Sequence, residues 1–136
     1  MKELKMCVVL LDMDRLKSIN DKYGHSAGDR ALMELAEGLK KCFGRGFHVM
    51  RLGGGDEFAV VQFDNDPAPL YHRLYELERI LEDHSFTATN PFRVSFSYGL
   101  ACSRDGEHID DILERCDTLM YERKRRKHTA HSEGRA

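Results

Sequence analysis

The sequence has no tryptophan, only three prolines, and four cysteines in 136 residues. None of the cysteines (Cys7, Cys42, Cys102, Cys116) belongs to a CxxC pair, which points away from a zinc ribbon or a dithiol redox motif. Each falls within an apolar pattern, so buried free thiols in a reducing, cytoplasmic setting are predicted, without a disulfide framework. The seven histidines form no HExxH, so any metal must be held by oxygen ligands. The longest apolar run, Met6 to Leu11, is too short to span a bilayer, and no signal-peptide pattern precedes it. Neither membrane contact nor secretion is expected. A dominant charge is missing as well: 21 Lys+Arg against 23 Asp+Glu leave −2, which argues against a general nucleic-acid binder.

What is present fits one folded domain. The length is near the mode for a single core, and 41% apolar with 32% charged residues argues against disorder. Met6 to Met13 (MCVVLLDM) reads as a buried strand ending in acids. Arg15 to Lys22 fits a short helix. Ser26 is the expected N-cap of a second, with Asp29 at its third position and Leu32, Leu35, Ala36, Leu39 and Phe43 along one face. Phe47 to Leu52 and Glu57 to Phe63 read as a hairpin around Gly53-Gly54-Gly55-Asp56. Leu70, Leu74, Leu77 and Leu81 mark a third helix, Phe92 to Ala101 a last strand, and Ile109 to Met120 a last helix running into the basic stretch Arg123 to Lys127. Two βαβ-like halves around a hairpin predict an α+β, ferredoxin-like or palm-type antiparallel sheet with helices on one face. Residues 1–127 form the domain and 128–136 a flexible polar tail.

Three groups of residues bear on chemistry. Asp12-Met13-Asp14 ends a buried strand, where hard oxygen ligands suit Mg²⁺; acids that merely leave the core before a helix fit equally well. Gly53 to Phe58 (GGGDEF) exceeds what a hairpin turn needs. Bare glycine backbone admits a phosphate or a flat base, and the acids that follow call for a cation between them and that anion. Lys17, Asn20, Asp21 and Asp29 offer a phosphate counter-charge and partners for guanine's edge, or simply a polar helix surface.

Together these strings resemble GGDEF domains. LLDMDRLKSINDKYGHSAGD is similar to their D-x-D-x-F-K-x-x-N-D-x-x-G-H-x-x-G-D opening, and Arg51-Leu52 before Gly54-Gly55-Asp56-Glu57-Phe58 resembles their signature hairpin. Ser97-Tyr98-Gly99 looks like their S-x-G strand, and DTLMYERK (Asp117 to Lys124) like the D-x-A-L-Y-x-A-K of their last helix. The likeness runs from about Lys5 to Lys127.

The resemblance implies a diguanylate cyclase that condenses two GTP to cyclic di-GMP and pyrophosphate, with Mg²⁺ (or Mn²⁺) at the interface of a homodimer. It implies that Asp12, Asp56 and the Met13 carbonyl hold the metal, and that Glu57 is a further metal-site or catalytic carboxylate beside Asp56. Lys17 and Lys124 would grip phosphates, Asn20 and Asp29 would read guanine, and Gly54 and Gly55 would leave room for the nucleotide. A sensor or regulatory domain is expected elsewhere in a longer protein, because the family's D-x-L-T-G-L-x-N-R lead-in does not precede Met6. The chain departs from the pattern in three places: three glycines stand where two are usual, His128 replaces the arginine of a G-R-N ending, and Arg45-Gly46-Phe47-His48 lacks the aspartate of the R-x-x-D inhibitory product site. The alternative function is a catalytically degenerate module that binds GTP or cyclic di-GMP and regulates a partner domain.

Overall fold

The computed structural model describes residues 5–53, 55–84 and 92–133. The apolar run that contains two valines is strand β1 (Cys7–Met13), and its apolar character has a direct cause: both of its faces are covered. Cys7, Val9, Leu11 and Met13 look one way, Val8 and Leu10 the other, as strand periodicity requires. Helices α1 (Leu16–Tyr23) and α2 (His25–Cys42) follow, then strands β2 (His48–Leu52) and β3 (Glu57–Gln62), helix α3 (Ala68–His84), strand β4 (Phe96–Cys102) and helix α4 (Ile109–Glu133). The sheet is antiparallel in the order β2-β3-β1-β4.

The helices divide between the two faces rather than sharing one. Leu32, Leu35 and Leu39 of α2 and Leu70, Leu74, Leu77 and Leu81 of α3 pack on the Cys7–Val9–Leu11 side. Each fully buried leucine there contributes about 1.5–3 kcal/mol of apolar burial. On the opposite side Ile112, Cys116 and Met120, spaced four apart on α4, cover Val8, Leu10, Ala59, Val61 and Ala101. Gly99 makes this docking close: a Cβ built there would lie 1.8 Å from the Cys116 carbonyl oxygen and 2.7 Å from the Met120 nitrogen. The helix therefore rests on bare β4 backbone, and Lys124, one turn past Met120, comes to the end of β1.

Several expectations are corrected. Ser26 is not an N-cap: α2 starts at His25, with Gly24 (φ 92°) as both the end of α1 and the cap of α2, and no acidic residue in its first turn. The Gly24 carbonyl accepts from the Ala27 and Gly28 N–H groups, doing what a side-chain cap would otherwise do. Residues 92–95 stay outside the β4 ladder, although Phe92 and Val94 are buried in the core. Helix α4 carries on to Glu133, into the segment expected as a tail.

The cysteines also divide. Cys7 and Cys102 face each other across the β1–β4 ladder and are joined as a disulfide, while Cys42 and Cys116 are buried free thiols. Register explains the pair: antiparallel strands that put Asp12 opposite Ser97 must put Cys7 opposite Cys102. The extra glycine leaves the β2–β3 ladder intact, with Arg51 opposite Phe58 and Leu52 opposite Glu57. On the connection between the strands Gly53 and Gly55 take φ of 54° and 93°, a region open to glycine without penalty. Gly54 lies outside the described residues.

Candidate functional site

Asp12 stands next to last in β1, opposite Glu57 of β3 on one side and Ser97 of β4 on the other. Two carboxylates are thus placed side by side at one end of the sheet. Lys124 of α4 reaches across them: its Nζ lies 3.4 Å from Asp12 Oδ2 and donates to the Met13 carbonyl at 3.0 Å. Burial pushes the Asp12 carboxyl up, and Asp56 and Asp14 add to that while Lys124 opposes it. Burial likewise raises Glu57, helped by the charges of Asp12, Asp117 and Asp56 and again opposed by Lys124. The cluster is short of positive charge. Asp56 itself is exposed in the turn before β3.

The donor set suits a hard divalent cation. Adjacent carboxylate oxygens together with a main-chain carbonyl are hard donors of the kind Mg²⁺ takes, and the Lys124 ammonium already sits as a cation between two of them, Asp12 and the Met13 carbonyl. Among the described residues, however, no three acidic, histidine or cysteine side chains converge as a ready metal cluster.

Beyond Met13 the chain turns sharply. The Asp14 N–H donates to the Ser95 carbonyl at 2.9 Å. Its carboxylate accepts from the Ser97 hydroxyl at 2.7 Å and the Ser95 hydroxyl at 3.1 Å, and pairs with Lys127 Nζ at 2.9 Å. Arg15 then adopts φ 59°, ψ 32°, and α1 opens without a side-chain cap, leaving its first N–H groups available to an anion. Lys17 is exposed on that helix.

Asn20 and Asp29 stand on the facing helices α1 and α2. The Asn20 Oδ1 is buried and accepts no hydrogen bond, and Gly28 lies so close that a Cβ there would come within 1.8 Å of it. Asp29 is exposed. A cavity of about 710 Å³ borders the turn, lined by Asp14, Arg15, Ser18, Lys124, Lys127 and His128 and extending to Leu81 and Phe96. Of the expected residues it takes in Lys124 alone; Asp12, Met13, Lys17, Asn20, Asp29, Asp56 and Glu57 are not in its lining.

Arg51 points at the glycine turn, its Nε donating to the Gly55 carbonyl at 2.6 Å, with its guanidinium 5.7 Å from the Phe58 ring. In the R-x-x-D region, Arg45 and Gly46 are exposed, as is His48, whose ring meets Phe63 at 5.4 Å. The basic run of α4 is less bland than its sequence. Arg123 lies 4.0 Å over the Tyr98 ring and donates to the Tyr98 carbonyl, and Lys127 turns in to Asp14. A helical wheel anchored on Met120 would have placed Lys124 and Lys127 near the same face.

Comparison with known proteins decides the family. Residues 1–130 match the family described as "Diguanylate cyclase, GGDEF domain". The chain belongs to the GGDEF domain family. Among curated relatives it is 37% identical over 117 residues to diguanylate cyclase DgcM of Escherichia coli, covering 86% of this chain and 28% of that protein. It is 31% identical over 128 residues to the biofilm architecture maintenance protein MbaA of Vibrio cholerae, covering 86% of this chain and 16% of that protein. The chain thus spans less than a third of either relative. Among solved structures, the GGDEF domain of DgcB from Caulobacter crescentus in complex with c-di-GMP superposes with a TM-score of 0.80 at 26% identity, over 90% of this chain and 73% of that one. The active GGEEF domain of a Vibrio cholerae diguanylate cyclase gives 0.79 at 27% identity, over 90% and 78%. The four-stranded antiparallel sheet flanked by helices is the GGDEF fold. No helix among the described residues of this GGDEF domain is long and apolar enough to cross a membrane.

Proposed function

We propose that this GGDEF domain is a diguanylate cyclase, joining two GTP molecules into cyclic di-GMP with release of pyrophosphate. One observation carries the reading: Asp12 and Glu57 are paired across adjacent strands beside Lys124, a carboxylate–ammonium arrangement suited to a metal-bound triphosphate. Asp12, the Met13 carbonyl and Asp56 would hold Mg²⁺ or Mn²⁺, which when bound neutralises phosphate charge and polarises the phosphorus–oxygen bond under attack. Lys17, Lys124 and the uncapped N–H groups of α1 hold the phosphates. Asn20 Oδ1, buried without a donor, accepts from guanine's N1–H or amino group, and Asp29 supplies a carboxylate partner for the same edge. Gly54 and Gly55 leave the nucleotide room. Each domain holds one GTP, so turnover requires two copies facing each other, held in the cell by a sensor or regulatory domain.

The test is incubation of the chain with GTP and Mg²⁺ over a range of protein concentrations, with chromatographic detection of cyclic di-GMP and pyrophosphate. Product should form with a rate that climbs faster than linearly with enzyme, ATP should give none, and Asp12→Asn should abolish it. GTP that binds without product at any concentration would overturn catalysis and establish the binding module instead.

A further inference from the structure

We propose that Lys127 is a positioning residue for the triphosphate: it fixes the turn after β1 through Asp14 and so sets the affinity of the site. The inference rests on the nucleotide reading above and concerns a residue at which this chain departs from the family, since the glycine of the G-R-N ending falls on Lys127 and its arginine on His128.

The turn needs an outside hold. Arg15 is the one non-glycine among the described residues with positive φ. A left-handed backbone is strained for a residue with a Cβ, and α1 has no side-chain cap hydrogen bond to offset it. The hold comes from Asp14. Its carboxylate is only 11% exposed and accepts from the hydroxyls of Ser95, just before β4, and Ser97, within it, leaving a nearly buried negative charge that demands a cation. Lys124 stands 4.0 Å away and is engaged with Asp12 and Met13; Lys127 stands at 2.9 Å. The same Lys127 Nζ also donates to the Phe96 carbonyl, so a single ammonium joins α4, the β4 strand and the turn.

Lys124 and Lys127 lie three residues apart on one face of α4, and between them they bind three consecutive residues: Asp12 and Met13 by the first, Asp14 by the second. Asp12 and Met13 are offered to the metal, and the N–H groups after Arg15 to the phosphates. Releasing Asp14 would let these two sets of ligands move relative to each other without removing either. Lys127 touches no reacting atom in this arrangement. It acts on binding.

The experiment measures calorimetric affinity of the chain for 3′-deoxy-GTP with Mg²⁺, an analogue that lacks the attacking hydroxyl and cannot condense. It is run on wild type, Lys127→Met and Lys127→Arg, with KM and kcat for GTP alongside. Lys127→Met should weaken analogue binding by about 10–100-fold, the usual effect of losing a residue that orients a ligand group, and should raise KM more than it lowers kcat. Lys127→Arg should restore most of the affinity. If Lys127→Met fails to fold, Lys127→Gln carries the same comparison. Affinity within twofold of wild type, even with a lowered melting temperature, would overturn the positioning role. Wild type that binds no analogue would instead overturn the nucleotide reading, and this inference with it.

Discussion

Lys124 and Asp12 meet at 3.4 Å across the end of the sheet, the lysine arriving from the last helix and the aspartate from the first strand. The lysine is the cation that Asp12 and Glu57 have in the absence of a metal, since it opposes the upward shift of both.

Replacing Lys124 by Met should therefore act twice. Stability without metal should drop by roughly 1 kcal/mol or less, as for a partly exposed ion pair, and turnover should fall about 100-fold through loss of a phosphate partner. Added Mg²⁺ should raise the melting temperature of the variant by more than that of wild type, because the metal no longer competes with an ammonium. Equal Mg²⁺ responses in thermal melts would show that Lys124 and the metal do not share Asp12.

The glycine turn gives a second outcome. Arg51 and Phe58 are already in register, so deleting Gly53 should shorten the connection without disturbing Asp12 opposite Glu57. Short glycine-containing hairpin loops are common, and cyclic di-GMP formation should stay near or above wild type. A loss of order 100-fold, the scale of a misplacement of about 1 Å, would mean that the site is built around the longer loop.

The Cys7–Cys102 bond closes a loop with a sequence separation of 95 residues. Restraining so long a loop in the unfolded chain typically stabilises a fold by about 2–5 kcal/mol. Reduction should lower the melting temperature of wild type and leave the Cys7→Ala/Cys102→Ala double variant unmoved. Wild type melting identically with and without reductant would show that the bond is absent or contributes nothing.

Acid offers a fourth test, away from the site. The hydrogen bonds from Arg115 hold the Glu107 carboxyl below its usual range. A carboxyl held down stabilises the fold above its unfolded value of 4.5 and gives that up as pH falls through the lower folded value. Asp12 and Glu57, held up, act in the opposite sense, so the comparison must be with Glu107→Gln. Melts between neutral pH and pH 3 should show wild type losing more stability on acidification than the variant; parallel curves would refute the contribution.

How much of this was legible in the sequence varies with range. The order of strands and helices follows from apolar spacing, because that signal is local. The acids at Asp12, Asp56 and Glu57 stood out against a hydrophobic strand and a glycine string, and the fold brings Asp12 and Glu57 together as neighbours. The position of α4 on the second sheet face was not readable: a continuous apolar β1 says that both faces are covered, not by what. The disulfide depends on a register between strands 95 positions apart, and Lys127 on a helix rotation fixed by contact at Gly99. The disulfide is a long-range fact with no local mark; helical spacing from Met120 puts Lys127 beside Lys124, but not opposite Asp14, and the basic run reads equally well as ordinary helix-end charge.

The sheet order has a consequence for how the molecule is made. Of the domain's strands β1 is made first yet lies between β3 and β4, and β4 reaches its partner only when Cys102 is synthesised. At ribosomal speeds of about 5–20 residues per second, the valine–leucine run of β1 spends roughly 5–20 s with one backbone edge bare. Such an edge is a template for other chains. The nascent domain is therefore most exposed to misassociation before β4 exists, and Lys124, on the helix after that, follows later still. A ribosome stalled between Cys102 and Lys124 leaves a domain with both carboxylates and no lysine to face them.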